Sequence, residues 1–328
     1  MDFFTTFYQI LSLFILIAVG WGASRLKLLD QHFVKTLSVF VIKVTLPAMI
    51  IKSMQFDFSV EVLWDSAYMF LVGIGMYALM IALSYGIVKF SGFTGARANA
   101  LQFLIIFGNV GYMGYPVMAS IFGDEGVFYT ALFNIPFNFL MMSLGVYLMT
   151  RKNSGDSEDG KGPLDASPGE EKSFKGKLRR LKVLINPGIV ATFTGFTLFL
   201  LSIEIPGPLF RSMDILGEAT TPLAMIIIGA NLSRVALGSV FREKALYGLV
   251  FLRLILIPAF LFGLLTLLGV EGFLLKVPVL IFSMPAAANA VVFAVMYEGD
   301  ADFAAKGVFF TTLCSGVTLP IIAYMLLG

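Results

Sequence analysis

The length, composition and charge of the chain indicate a membrane protein. Of its 328 residues, 58% are hydrophobic and 13% are charged, whereas soluble domains carry about 25% charged residues. The net charge of +2 is too small to indicate a nucleic-acid partner. The single cysteine, Cys314, has no intrachain partner and reads as a small buried hydrophobe. Soluble globular, disordered and disulfide-stabilised classes are therefore excluded.

Ten apolar segments approach the length of about 20 residues that a helix needs to cross the hydrocarbon. The predicted spans are 5–23, 33–53, 66–89, 98–121, 127–150, 186–203, 212–233, 245–268, 274–296 and 304–327. Residues 151–185 are too polar to fold alone, so they are predicted to form a linker. The predicted units are a first five-helix repeat (1–150), this linker and a second five-helix repeat (186–328).

The distribution of Lys and Arg predicts an orientation. Loops on one side carry 18 of these residues, including nine in the linker, and loops on the other side carry three. Because basic loops remain in the cytoplasm, we expect a multi-pass protein of the cell (inner) membrane with both termini outside and the linker inside. The basic stretch 172–182 suits contact with anionic lipid headgroups, although a solvated topology determinant is the more ordinary interpretation.

Short matching motifs indicate an internal repeat. Residues Gly126–Leu132 and Gly307–Leu313 open the fifth and tenth predicted spans and are identical at five of seven positions. Residues Thr45–Ile51 similarly match Thr220–Ile227 in the second and seventh spans. Because each half has an odd number of spans, the second half must be inverted relative to the first, as in many secondary transporters. The sequence therefore predicts an all-α polytopic membrane protein built from two inverted repeats.

Two corresponding spans contain residues that weaken a helix at mid-membrane. The fourth span carries Gly108–Pro116, with three glycines and a proline, and the ninth carries Ser283–Asn289. Both are predicted to be broken helices, because unwound backbone at this depth is tolerated when it lines a cavity or is buried in protein. The alternative is a pair of proline kinks whose asparagines bond helix to helix.

The predicted breaks suggest a binding site for an anion. Half-helices that begin near Pro116 and Pro285 direct unpaired N–H groups and partial positive charge at the midplane. Asn109 and Asn289 lie beside them and can donate and accept hydrogen bonds. These four residues are the central candidates for substrate binding.

Two ionisable residues, Lys43 and Arg253, fall near the middle of predicted spans, and no carboxylate does. This pattern argues against a carboxylate-based cation antiporter. Lys43 is a candidate for attracting an anionic substrate, and snorkelling or bonding to freed carbonyls is an equally good interpretation. For Arg253 this second interpretation is the favoured one.

Asn134 and Asn138 flank Pro136 at a spacing of i and i+4, which places both amides on one helix face. They are candidates for lining the cavity, although an interhelical hydrogen bond is the simpler explanation. The one histidine, His32, lies in a loop, so no histidine-based triad or metal centre is expected in the membrane. We therefore expect no enzyme activity and no cofactor, with H⁺ or Na⁺ left open as a coupling ion.

Four motifs in order make the chain resemble the auxin efflux carrier family, which includes the plant PIN-FORMED and PIN-LIKES carriers and many bacterial permeases. The motifs are Gly108–Pro116, Asn186–Val190, Pro222–Met225 with Gly229–Leu232, and Met284–Ala290. The resemblance covers essentially the whole chain except the linker.

The resemblance implies a ten-helix inverted repeat similar to bile-acid/sodium symporters and sodium/proton antiporters, with the broken fourth and ninth spans crossing in a transport domain. It implies a small organic anion as substrate, such as malonate, malate or an auxin-type indole acid, and a homodimer. By position, it places Asn109, Pro116, Pro285 and Asn289 in the crossing region that holds the substrate. Gly111 and Tyr112, in the same motif as Asn109, are further candidates for substrate binding. A sodium-coupled symporter and a transporter-like membrane sensor are the alternatives.

Overall fold

The computed structural model describes residues 3–151, 186–235 and 237–327. The predicted linker, apart from Arg151, and the basic stretch 172–182 lie outside the described residues. Within those residues the assigned elements are helices, together with one isolated antiparallel bridge between Gly108 and Ala286.

The described helices follow the predicted spans closely. Before the linker they are α1 (Phe3–Arg25), α2 (Gln31–Lys52), α3 (Val60–Ser91), α4 (Gly95–Ile106) and α5 (Val110–Thr150). After it the helices of eight residues or more are α6 (Pro187–Leu200), α7 (Gly207–Leu232), α8 (Lys244–Leu267), α9 (Gly272–Phe282), α10 (Asn289–Met296) and α11 (Ala301–Leu327).

Several helix ends have local causes. Asp30 caps α2 by accepting the N–H of Phe33 at 2.7 Å, and Asn186 caps α6 by accepting the N–H of Gly188 at 2.9 Å. Gly92 ends α3 in the left-handed region at φ +73°. Within α5, Gly123 has φ +63° and ψ −150°, which divides the helix into arms 110–122 and 124–150.

Seven of the described helices are long and apolar enough to cross a membrane, namely α1, α2, α3, α5, α7, α8 and α11. This confirms a helical polytopic membrane protein. Three predicted spans fall short of that length for physical reasons. The fourth and ninth are interrupted, and the sixth becomes the 14-residue helix α6.

Helices α1, α2, α6 and α7, here called the four-helix group, pack tightly through glycines. A Cβ on Gly20 would lie 2.2 Å from the carbonyl oxygen of Ile226, and one on Gly229 would lie 1.9 Å from that of Ile17. The backbones of α1 and α7 therefore touch, and only glycine permits this approach. This contact makes the four-helix group a close-packed unit.

The other helices, α3–α5 and α8–α11, form the interrupted group. It contains two helix breaks, at 107–109 between α4 and α5 and at 283–288 between α9 and α10. The N–H of Asn109 donates to the carbonyl of Pro285 at 2.8 Å, and the N–H of Ala287 donates to the carbonyl of Phe107 at 3.0 Å. We call these two segments the paired interruptions. Their mutual hydrogen bonds satisfy backbone groups that the helix breaks set free.

Candidate functional site

A cavity of about 80 Å³ lies beside the paired interruptions. Both groups contribute to its wall, because Ile42 and Leu46 come from α2 while Gly108 and Ala287 come from the interruptions. Five asparagines and two tyrosines also line it: Asn109, Asn134, Asn138, Asn186, Asn289, Tyr112 and Tyr115. The cavity wall therefore offers many hydrogen-bonding groups. Its described part contains no Lys, Arg, His, Asp or Glu.

Two helices begin at this cavity. Helix α5 starts at Val110 and α10 starts at Asn289, so each presents the first turn in which N–H groups have no intrahelical acceptor. In the described part of the chain, no acceptor is found for the N–H groups of Gly111, Tyr112, Ala288 and Asn289, and all four residues line the cavity. The wall thus combines free donors with the positive ends of two helix dipoles.

Asn109 and Asn289 occupy matching positions at these two helix starts. Asn109 is 4% exposed, and its carbonyl accepts the N–H groups of Met113 at 3.1 Å and Gly114 at 2.9 Å. The Nδ2 atom of Asn289 lies 3.5 Å from the Sδ atom of Met141. The two amide side chains predicted from the sequence are brought to one cavity.

A second set of polar groups forms a hydrogen-bonded row on the wall. Asn186 donates from Nδ2 to Oδ1 of Asn138 at 2.9 Å, and Asn138 donates to the carbonyl of Asn134 at 2.9 Å. Asn134 donates to the hydroxyl of Tyr115 at 3.4 Å, while its own Oδ1 is buried without a partner. We call Asn134, Asn138, Asn186 and Tyr115 the amide row.

The amide row contains two residues that the sequence reasoning missed as site residues, Asn186 and Tyr115. Both stood inside motifs, one before a helix-starting proline and the other beside Pro116. A polar side chain at a helix start was the feature of the sequence that could have indicated them. Whether that side chain points to the cavity depends on how α6 packs against α5.

Three other predicted residues lie off the wall. Pro285 contributes through its carbonyl, which accepts from Asn109, and Pro116 is buried in the first turn after the π-helical start of α5. The side chain of Lys43 is exposed. Ile42, one residue earlier and therefore about 100° away around the helix, faces the cavity instead. The structure thus places the Lys43 side chain off the cavity wall.

Arg253 lies against the other side of the paired interruptions and is fully buried. Its Nε donates to the carbonyl of Met284 at 3.1 Å, and another guanidinium nitrogen donates to the carbonyl of Ile105. The third nitrogen has no partner and lies so close to Gly108 that a Cβ there would be 2.5 Å away. This agrees with the interpretation that Arg253 binds carbonyls freed by the helix breaks.

Comparison with known proteins shows similarity along nearly the whole chain. The profile of a family described as membrane transport protein matches residues 5–323. An uncharacterized transporter of Methanocaldococcus jannaschii is 28% identical over 327 residues, covering 97% of this chain and 98% of its own. A protein of Rhizobium meliloti named "Putative malonate transporter" is 27% identical over 320 residues, covering 97% and 94%.

Proposed function

The chain belongs to the auxin efflux carrier family of membrane transport proteins, and from this premise we propose that it is a secondary carrier that moves a small organic anion by alternating access. The family resemblance inferred from the motifs is confirmed, and the relatives are named as transporters rather than enzymes. The observation that supports the anion is the cavity at the paired interruptions.

The chemistry of the wall favours an anion over a cation. The free N–H groups at the starts of α5 and α10 are donors, and each helix start carries about half a positive charge. Anions bind readily at such termini because donors and dipole act together. In this proposal the substrate carboxylate lies between the two helix starts, with Asn109 and Asn289 as additional hydrogen-bond partners.

The size of the cavity favours a small substrate. Its volume is about 80 Å³, well below the roughly 300–1,000 Å³ of pockets for drug-sized ligands. A compact carboxylate such as malonate, which the name of one relative mentions, suits this space better than an indole acid. Malonate-like acids are therefore the proposed substrate class.

Alternating access would come from movement of the interrupted group against the four-helix group. The proposed architecture is ten spans in two inverted repeats, 1–150 and 186–328, with the linker in the cytoplasm and both termini outside. The antiparallel pairing of the two interruptions supports the inversion. The position of the cavity between the two groups supports their relative movement.

Sodium coupling receives less support than sodium-independent transport. Sodium in carriers of this kind is held by unwound backbone carbonyls and helix C-terminal ends. Here Arg253 already binds the carbonyls of Ile105 and Met284 at those ends. We therefore propose transport without a sodium requirement.

Counterflow of labelled malonate in proteoliposomes tests the proposed function. We expect exchange by the wild-type protein with or without sodium. We expect a loss of roughly tenfold or more for Asn109→Ala and Asn289→Ala, since hydrogen bonds to charged groups contribute about 1.5–3 kcal/mol. The matched control is Asn231→Ala, because Asn231 is exposed on α7 and lies off the cavity wall.

Two results would contradict parts of this proposal. Equal exchange by all three variants would contradict the site. Absence of exchange by folded wild-type protein with malonate, malate and other small carboxylates would contradict the carrier function.

A further inference from the structure

We propose that the cavity binds its substrate as a monoanion that carries a hydrogen-bond donor at its uncharged end, as hydrogen malonate does. This inference rests on the proposed carrier function and specifies the charge state of the substrate. It follows from the charges of the four helix ends at the paired interruptions and from one buried, unpartnered acceptor on a residue that lines the cavity.

The helix ends divide into two pairs of opposite sign. The starts of α5 and α10 face the cavity, and together they amount to about one positive charge. The ends of α4 and α9 carry about one negative charge between them. The guanidinium of Arg253 donates there to the carbonyls of Ile105, in the last turn of α4, and of Met284, two residues after α9. The positive charge of Arg253 is thus balanced by the partial negative charge of the helix ends beside it. The partial positive charge of the two helix starts on the cavity side can therefore balance one carboxylate.

Among the residues that the structure describes on the cavity wall, a second carboxylate would find no cation. Lys43 has an exposed side chain away from the wall. Lys52, at the end of α2, is paired with Asp214 at 2.8 Å and with Asp124 at 3.3 Å. The titratable side chains on the described wall are Tyr112 and Tyr115. Because an unpaired buried charge is costly, a dicarboxylate is expected to enter with one carboxyl group protonated.

The amide row supplies an acceptor for that proton. The Oδ1 atoms of Asn138 and Asn186 already accept hydrogen bonds, from Asn186 and from the N–H of Gly188. The Oδ1 atom of Asn134 is buried and receives no hydrogen bond from any residue that the structure describes. A carboxylic acid O–H or an amide N–H would satisfy it, whereas a carboxylate has only acceptors to offer.

Three anions of similar size distinguish the effect of the substrate's charge from the effect of a hydrogen-bond donor at its other end. Malonamate has one negative charge and an amide donor, and monomethyl malonate has one negative charge and no donor. Malonate acquires its second charge and loses its donor as pH rises through the second pKa of malonic acid. Each is added as a competitor of labelled malonate counterflow in proteoliposomes on both sides of that pKa.

We expect malonamate to compete equally well at both pH values. The apparent affinity of malonate should fall by about tenfold for each pH unit on the alkaline side, because the fraction present as the monoanion falls by that factor. Monomethyl malonate should be roughly three- to tenfold weaker than malonamate, the range expected for one hydrogen bond. The result that overturns the inference is malonate that competes best on the alkaline side while malonamate competes poorly.

Two variants on the same helix test the acceptor. Asn134→Leu removes the unpartnered Oδ1 and should abolish the preference for malonamate over monomethyl malonate. Thr130→Val is the matched control, because Thr130 is also fully buried with an unpartnered oxygen, one turn away and off the cavity wall. It should keep the preference.

Each remaining outcome is decisive. A preference that persists in Asn134→Leu overturns the assigned acceptor. If that variant does not fold, the comparison of the three anions on wild-type protein still tests the charge state. Failure of folded wild-type protein to exchange any of these anions overturns the carrier function and the inference together, whereas alkaline preference with intact exchange overturns the inference alone.

Discussion

The two sides of the paired interruptions differ in what fills them. On one side, the starts of α5 and α10 present free N–H groups to a cavity. On the other, the last turn of α4 and the segment just after α9 present the carbonyls of Ile105 and Met284 to the buried guanidinium of Arg253. A helix break creates a donor-rich end and an acceptor-rich end at once. This protein satisfies two of the acceptors with its own side chain, and in the proposed function the donors bind the substrate.

The largest effect is expected from removing the resident cation. Arg253→Met leaves the carbonyls of Ile105 and Met284 buried without donors, at about 1–3 kcal/mol each. The thermal unfolding midpoint of the purified protein should fall sharply, and malonate counterflow should be lost. Arg211→Met is the control, because the Arg211 side chain is 69% exposed. If Arg253→Met were as stable as the wild type, Arg253 would not be needed to satisfy the carbonyls on its side of the paired interruptions. The proposed difference between the two sides would then be wrong.

A smaller effect is expected from a methyl group at Gly108. Its Cβ would lie 2.5 Å from the guanidinium of Arg253, which two hydrogen bonds hold in place. We expect Gly108→Ala to lower the free energy of unfolding by about 1–3 kcal/mol. Gly111→Ala should leave it nearly unchanged, since nothing lies within 4 Å of the new Cβ. Chemical denaturation of both variants measures the difference, and equal stabilities would show that Gly108 does not confine Arg253.

The smallest effect on stability and transport is expected from replacing Lys43, the other cation predicted near the middle of a span. Lys43 has an exposed side chain, so Lys43→Gln should change the free energy of unfolding by no more than about 0.5 kcal/mol. Malonate counterflow by this variant should match that of the wild type. A loss of counterflow as large as that expected for Asn109→Ala would show that Lys43 takes part in substrate binding. It would also weaken the contrast between Lys43 and Arg253.

Much of the architecture could be predicted from local composition. The glycines and proline of 108–116 and the small residues of 283–289 weaken a helix wherever they occur, and both segments are interrupted in the structure. Apolar runs likewise placed the helices, because hydrocarbon thickness sets their length.

The direction of individual side chains could not be predicted in the same way. Whether Ile42 or Lys43 faces the cavity depends on the rotation of α2 against its neighbours, which the mostly apolar sequence leaves undefined. The place of Asn186 in the amide row depends on contact between α6 and α5, residues far apart in sequence. Arg253 illustrates the same point, because its two carbonyl partners come from different halves of the chain.

Accessibility of the cavity from both sides of the membrane tests alternating access most directly. Gly111→Cys places a thiol on the cavity wall through a Cβ that has nothing within 4 Å, in a Cys314→Ser background that removes the one native cysteine. A membrane-impermeant maleimide is applied to right-side-out and inside-out vesicles. Alternating access predicts labelling from both sides, with malonate slowing both reactions. Labelling from one side alone, whether or not malonate is present, would contradict it.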